Sequence, residues 1–215
     1  MNWRLASRLS VVTLTVLVVL IVALWGTRLH TNGTVSGDSV PQSNSNPSGL
    51  QGADLGGTPA PNFQLTDQLG KSISLSQFQG KPVILTFLYT HCPDACPLTA
   101  EKLHAAMQSL GSQAQQVGVL AVSTDPKGDT KAAALAFSKA HRMENYWHFL
   151  MGTHDQLSPV WSKYAVYAAP QTSGTGVNHS TAVFVIDKQG HERAFFGDDL
   201  TSEHLITDLQ ILLKE

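Results

Sequence analysis

Phe87-Leu88-Tyr89-Thr90-His91-Cys92-Pro93-Asp94-Ala95-Cys96-Pro97-Leu98 holds both cysteines of a 215-residue chain, at the end of an apolar run. The run itself, Val83 to Tyr89, is β-branched and aromatic without polar alternation. It therefore reads as a strand buried on both faces. From Leu98 to Leu110 the apolar residues Leu103, Ala106, Met107 and Leu110 recur at helical spacing. The cysteines thus belong to a strand-to-helix turn at the carboxyl end of a central strand, where open α/β sheets place their sites. Pro97, tolerated only in a first helical turn, sets the expected helix start, with Cys96 at the N-cap and Cys92 one turn upstream. Both sulfurs then face the positive end of a helix dipole, which favours thiolate. Such a pair suits binding of a soft metal or cycling with a disulfide. A purely stapling bridge across so short a loop would stabilise little.

Towards the N-terminus, Arg4 and Arg8 precede an uncharged apolar run from Leu9 to Thr27, and Arg28 follows. As a helix this run would measure about 29 Å, close to the hydrocarbon thickness of a bilayer. Trp3 and Trp25 stand near its ends, where amphipathic rings prefer the interface. No A-x-A cleavage pattern follows. Residues 1–29 are therefore expected to be an uncleaved signal anchor, with a transmembrane helix at about 9–27 and the C-terminal domain outside the cytoplasm. Residues 30–60, rich in Ser, Gly, Asn and Pro, read as a flexible linker. Residues 61–215 are a usual size for one domain with one core. A net charge of −2 leaves no basic footprint and argues against nucleic acid as a partner. Two cysteines outside the cytoplasm imply a reductant or a protecting metal.

The domain alternates strand and helix. Phe63–Leu65 and Ser72–Leu75 bracket Asp67-Gln68-Leu69-Gly70 as a hairpin, and a short helical turn is expected at Leu75–Phe78. Val117–Val122 reads as a second buried strand, followed by a helix through Ala140 capped by Asp129 or Thr130. A short strand at Trp147–Leu150, a helix at Asp155–Tyr164 and a hairpin of Ala182–Ile186 with Arg193–Phe196 come next. Thr201 or Ser202 caps the final helix. This order is that of an α/β thioredoxin-like fold with an N-terminal hairpin and an inserted segment.

A metal on two thiolates needs a third donor. Of the nine histidines, His91 points away from its neighbour Cys92 if the strand continues, and His104 lies two turns into the helix. His141, His148, His154, His191 and His204 sit in mixed-polar contexts that suit solvated or capping roles. His179 follows Thr172-Ser173-Gly174-Thr175-Gly176 and is expected to open the strand Ala182–Ile186, facing the cysteine turn.

Three motifs in the same order resemble the Sco/SenC copper chaperones that help assemble cytochrome c oxidase. Cys92-Pro93-Asp94-Ala95-Cys96-Pro97 is similar to their Cys-Pro-Asp-x-Cys-Pro signature. Thr124-Asp125-Pro126 with Asp129-Thr130 resembles their Asp-Pro-x-x-Asp-Thr segment, and His179-Ser180-Thr181 with Phe184–Asp187 their histidine loop and strand. The resemblance covers about residues 60–215. It implies copper, as Cu(I) or Cu(II), bound by Cys92, Cys96 and His179, with Cys92 and Cys96 also forming a redox-active disulfide. It implies as partners an oxidase subunit carrying a copper centre, other copper chaperones or thiol reductants, and the inner membrane from its periplasmic side. Two thiolates and an imidazole suit Cu(I); zinc is the chemical competitor. Asp94 and Asn178 are the candidate neighbours of the metal, and Asn178 stands where the family commonly has Asp. A thiol–disulfide oxidoreductase or thiol peroxidase on the same fold is the enzymatic alternative. It fits less well, because the motif is Cys-x-x-x-Cys and no proline follows Pro170 to lie opposite the dithiol. A redox-sensing module would use the same dithiol.

Overall fold

In the computed structural model the described residues are 48–170, 177–179 and 182–215, with Ala168–Pro170 and Val177–His179 described by their backbone. The expected signal anchor and most of the expected linker lie outside them. Among the described residues no helix is long and apolar enough to cross a membrane.

The apolar run forms the strand Val83–Leu88 (β4), buried at every position. Successive side chains on a strand point to opposite faces, so β4 feeds two cores. Ile84 and Leu88 pack on one face, with Leu103 and Met107 of helix α1 (Ala95–Leu110) and Leu205, Leu209 and Leu212 of helix α4 (Ser202–Lys214). Helix α2 (Lys131–Ala140) adds Ala134 and Phe137 to the same side. Val83, Leu85 and Phe87 point to the other face, covered by Leu157, Val160 and Trp161 of helix α3 (His154–Lys163). Thr86 is the polar exception; its buried hydroxyl donates to the Ala182 carbonyl at 3.0 Å.

Among the described residues the main sheet has eight strands. β4 runs parallel to Gly118–Ser123 (β5), from Val83 opposite Gly118 to Leu88 opposite Ser123, and β5 runs parallel to His148–Met151 (β6). Beyond β6 lies the expected hairpin, Gln64–Asp67 (β2) with Ser72–Ser74 (β3). On the other side β4 pairs antiparallel with Val183–Ile186 (β9), which pairs with His191–Phe196 (β10). The two hairpins use the same turn. Asp67 Oδ1 accepts from Leu69 N and Lys71 N, Asp187 Oδ1 from Gln189 N and His191 N, and Gly70 and Gly190 take positive φ. Thr130 and Thr201 cap their helices, as expected, by accepting from Ala133 N and His204 N.

Three expectations are corrected. First, the linker expected over 30–60 gives way to ordered chain near Leu50, which is buried. Ala53–Pro59 (β1) then pairs with β10 as an edge strand with a register shift between Asp54 and Thr58. An edge strand held by backbone bonds and largely exposed needs no apolar alternation, so its composition still looked like linker. Second, α1 begins at Ala95 with Asp94 as N-cap, so Cys96 is inside the first turn instead of at the cap. Pro97 still falls in that turn, where its missing N–H costs no hydrogen bond. Third, Val177–His179 (β8) is no part of the β9 strand; it pairs with Ala168–Pro170 (β7) in a separate two-stranded ribbon, His179 opposite Ala168.

Candidate metal and redox site

Beyond Leu88 the chain leaves the sheet. The last bond of that ladder is Thr124 N to the Leu88 carbonyl, 2.9 Å. Tyr89 remains buried, His91 and Asp94 are exposed, Cys92 is half-buried and Cys96 is fully buried. Both cysteines are present as thiols. The Cys96 backbone N–H, in the first turn of α1, donates to Cys92 Sγ at 3.3 Å. A helix N-terminal amide therefore addresses the sulfur of Cys92, the partner open to solvent. Its hydrogen bond to Cys92, followed by burial, pushes the Cys96 thiol far above its ordinary value, and the Tyr89 backbone only partly offsets this. The helix dipole thus does not make two equal thiolates. Cys96 lies buried in the first turn, and Cys92 is the sulfur open to solvent.

The loop is fixed from the neighbouring β5–α2 connection. Asp129, only 6% exposed, accepts from Thr90 N at 2.8 Å, Thr90 Oγ1 at 2.7 Å and Ser123 Oγ at 2.5 Å. Burial raises its pKa, while the bonds from Ser123 and Thr90 oppose the shift. Thr90 Oγ1 also lies 3.0 Å from His91 Nδ1, and Asp125 N donates to Ser123 Oγ at 3.1 Å. Asp125 Oδ1 closes its own turn onto Lys127 N and Gly128 N. A Cβ at Gly128 would collide with Asp125 Oδ2 and come within 3.4 Å of His91 Nδ1, so this loop packs directly on the residue before Cys92. In the sequence Asp129 stands as a candidate helix cap and as a member of the Asp-Pro-x-x-Asp-Thr segment, with no role at the cysteines. The Asp-Pro-x-x-Asp-Thr segment was the available signal, but its partner Thr90 lies on another element.

The expected site residues come together in part. Cys92 and Cys96 share one turn, and Asp94 is the N-cap of α1 without a side-chain cap bond. His179 and Asn178 are placed by backbone in β8, opposite Ala168 and Ala169. Among the described residues no three His, Cys, Asp or Glu side chains converge as a metal site. Three of the other described histidines have structural surroundings. His104 is buried edge-on to Tyr146, His141 meets Glu101 at 3.0 Å, and His148 meets Asp67 at 2.9 Å. Beside Cys92 a shallow groove of about 370 Å³ runs between the cysteine loop and α2, lined by His91, Pro97, Ala136, Phe137 and His141 among others.

One protein family, described as SCO1/SenC, matches residues 53–214. Among curated relatives, the mitochondrial protein SCO2 homolog of Bos taurus is 30% identical over 152 residues, 68% of this chain and 56% of that protein. Protein SenC of Rhodobacter capsulatus is 27% identical over 158 residues, 72% of this chain and 69% of that protein. The match thus spans little more than half the length of the bovine relative. Among solved structures, that of Bradyrhizobium japonicum ScoI with copper bound superposes with a TM-score of 0.64 at 29% identity, covering 72% of this chain and 99% of that one. The solution structure of apo Sco1 from Thermus thermophilus gives 0.66 at 30% identity, over 76% of this chain and 96% of that one.

Proposed function

The chain belongs to the SCO1/SenC family, and from that premise we propose that it is a membrane-tethered copper chaperone. Its cargo is copper, held by Cys92, Cys96 and His179 and passed to the copper-carrying subunit of a cytochrome c oxidase; the same dithiol would alternatively reduce the thiols of that copper centre. The observation that carries this reading is the dithiol at the end of β4, one sulfur accessible and the other buried beneath it in the first turn of α1. Two soft thiolates and an imidazole suit Cu(I), which accepts low coordination numbers. The bracketing ribbon β7–β8 gives His179 a backbone setting separate from the sheet, and Asp94 and Asn178 would flank the metal. The apolar run Leu9–Thr27 supplies the tether, with residues from Leu50 onward on the periplasmic side of the inner membrane. Oxidase subunit, copper donors and thiol reductants are the partners this chemistry requires.

The test is copper and zinc content of the reduced full-length protein in detergent. One copper per chain is expected, lost in Cys92→Ser, Cys96→Ser and His179→Ala and on oxidation to the Cys92–Cys96 disulfide, because the thiolate is the ligand. Full copper binding by the His179→Ala variant would remove that residue from the ligand set. Rapid turnover of protein disulfides or peroxide without copper binding would replace the chaperone with the oxidoreductase.

A further inference from the structure

Thr90 is the point where the cysteine loop loses the sheet. Up to Leu88 the β4 backbone is fixed by ladders to β5 and β9. Thr90 N lies beyond them, and its partner is the Asp129 carboxylate. That carboxylate takes three donors from two different strand ends: backbone and hydroxyl of Thr90 after β4, and the hydroxyl of Ser123 at the end of β5. It is buried, so these bonds are not in exchange with water, and removing the acceptor would leave three donors to find new partners. The loop that follows is short. Thr90, His91 and Cys92 run directly into Pro93, the N-cap Asp94 and the first turn that holds Cys96. The departure angle of the backbone at Thr90 therefore decides where Cys92 Sγ stands over the Cys96 amide, 3.3 Å away.

We propose that Asp129 is a positioning residue for the dithiol, its buried carboxylate clamping Thr90 and Ser123 so that Cys92 is held over Cys96 in the geometry used for copper and for disulfide exchange. Asp129 acts on the dithiol through Thr90. A rigid loop pays its ordering cost at folding instead of at binding, so loosening it weakens the bound or bridged state more than the open one. The inference rests on the copper reading for one of its two readouts only. The second readout is the disulfide equilibrium. Cys92 and Cys96 together give up two electrons and two protons and form one S–S bond, while a small-molecule disulfide in the buffer takes both and is cleaved to two thiols.

The experiment compares wild type, Asp129→Ala, Asp129→Asn and Thr90→Val, each as the full-length protein in detergent. Cu(I) affinity is measured by competition with a chromophoric chelator, and the Cys92–Cys96 equilibrium against a dithiol/disulfide buffer. Asp129→Ala is expected to lose on the order of tenfold in Cu(I) affinity and to shift the disulfide equilibrium about tenfold towards the dithiol, equivalent to about 1.4 kcal/mol in each case. Asp129→Asn, which keeps an acceptor for Thr90 N, recovers part of both. A role confined to folding lowers the oxidised and reduced forms alike and leaves the equilibrium where it was, whatever happens to the melting temperature. If Asp129→Ala does not fold, Thr90→Val, which removes the hydroxyl arm and keeps the amide, carries the same expectation at roughly threefold. A folded variant within twofold of wild type in both readouts overturns the proposal. Wild type without copper affinity, but with a disulfide equilibrium that still moves in Asp129→Ala, overturns the copper reading and leaves the clamp standing.

Discussion

Asp67 and Asp187 are buried, and so are Asp129 and Asp208, yet the two pairs solve different problems. The first pair closes its own turn, each Oδ1 taking amides two and four residues along the chain, while each Oδ2 meets a cation-forming side chain, His148 at Asp67 and Arg193 at Asp187. The second pair acts at long range. Asp129 holds Thr90, and Asp208, on α4, accepts from Gln51 N at 2.6 Å and Gly52 N at 3.2 Å, fixing the chain as it enters β1. The electrostatics separate them as well. Burial would raise Asp67, but the Lys71 amide, His148 and the Leu69 amide bring it below the usual aspartate range. Burial prevails at Asp129 and Asp208, whose carboxyls are raised despite the bonds they accept. At Asp67 the turn amides together with His148 outweigh burial; the bonds to the two long-range clamps do not, and those clamps are kept for the placement they give.

The comparison is sharpened most by removing one acceptor of each kind. Asp208→Ala removes the carboxylate to which the Gln51 and Gly52 amides donate, and next to Gly52 there is no room to adjust, since even a Cβ there would meet Ala194 Cβ at 2.9 Å. A loss of roughly 2–3 kcal/mol in urea unfolding is expected, with Cu(I) affinity unchanged because the dithiol lies elsewhere. Asp187→Ala frees amides of a turn whose Gln189 is exposed, so water replaces the carboxylate. About 1 kcal/mol is expected there. Equal losses in the two variants would erase the distinction between local and long-range acceptors.

A smaller effect, with opposite signs in the two kinds, lies in the pH dependence. Asp67 has a lowered folded pKa, so its contribution is full above the ordinary aspartate range and is lost as pH falls through the folded value. Asp208 has a raised folded pKa. The native state keeps that proton after the unfolded chain has released it, and stability falls as pH rises from the ordinary aspartate range through the raised value. Urea midpoints followed from about pH 3 to about pH 7 should show Asp67→Asn flattening the acid-side loss and Asp208→Asn flattening the decline above it. Parallel profiles for both variants would contradict the assigned directions.

The same division explains what could be read in the sequence. The Asp-x-x-Gly turns, the unbroken apolar run of β4 and the Thr caps are local patterns, and each stood where the residues placed it. β1 was missed because an exposed edge strand containing Gly56 and Gly57 carries no periodicity, and its order comes from β10 and Asp208 across the chain. Cys96 moved from the cap into the helix because proline marks a first turn and not a particular position in it. Asp129 looked like a cap since the residues around it are those of a helix start. Its true partners, Thr90 and Ser123, become neighbours only when β4 and β5 pair. His179 was tied to β9 by its nearness in sequence, whereas the ribbon with Ala168–Pro170 depends on a pairing that no short pattern announces.

The smallest effect belongs to a carboxylate that is not buried. Glu101 on α1 has a side chain 42% exposed and meets His141 Nδ1 at 3.0 Å and Arg142 at 2.6 Å. These contacts, His141 first, hold its pKa below the ordinary glutamate value. The sign is therefore that of Asp67: a contribution present above the ordinary range and lost as pH falls through the folded value. Its size is limited by solvent screening, and exposed pairs of this kind are worth about 0.5 kcal/mol. Glu101→Gln should lower the urea midpoint only slightly at low salt, and the difference should shrink further in about 1 M salt, where the Debye length falls to about 3 Å. Asp208→Ala should keep nearly all of its loss in the same salt, because a buried acceptor for backbone amides is not an ion pair that counterions can screen. If salt abolished both losses alike, Asp208 would be acting as a surface charge, and the contrast between buried clamp and exposed pair would fail.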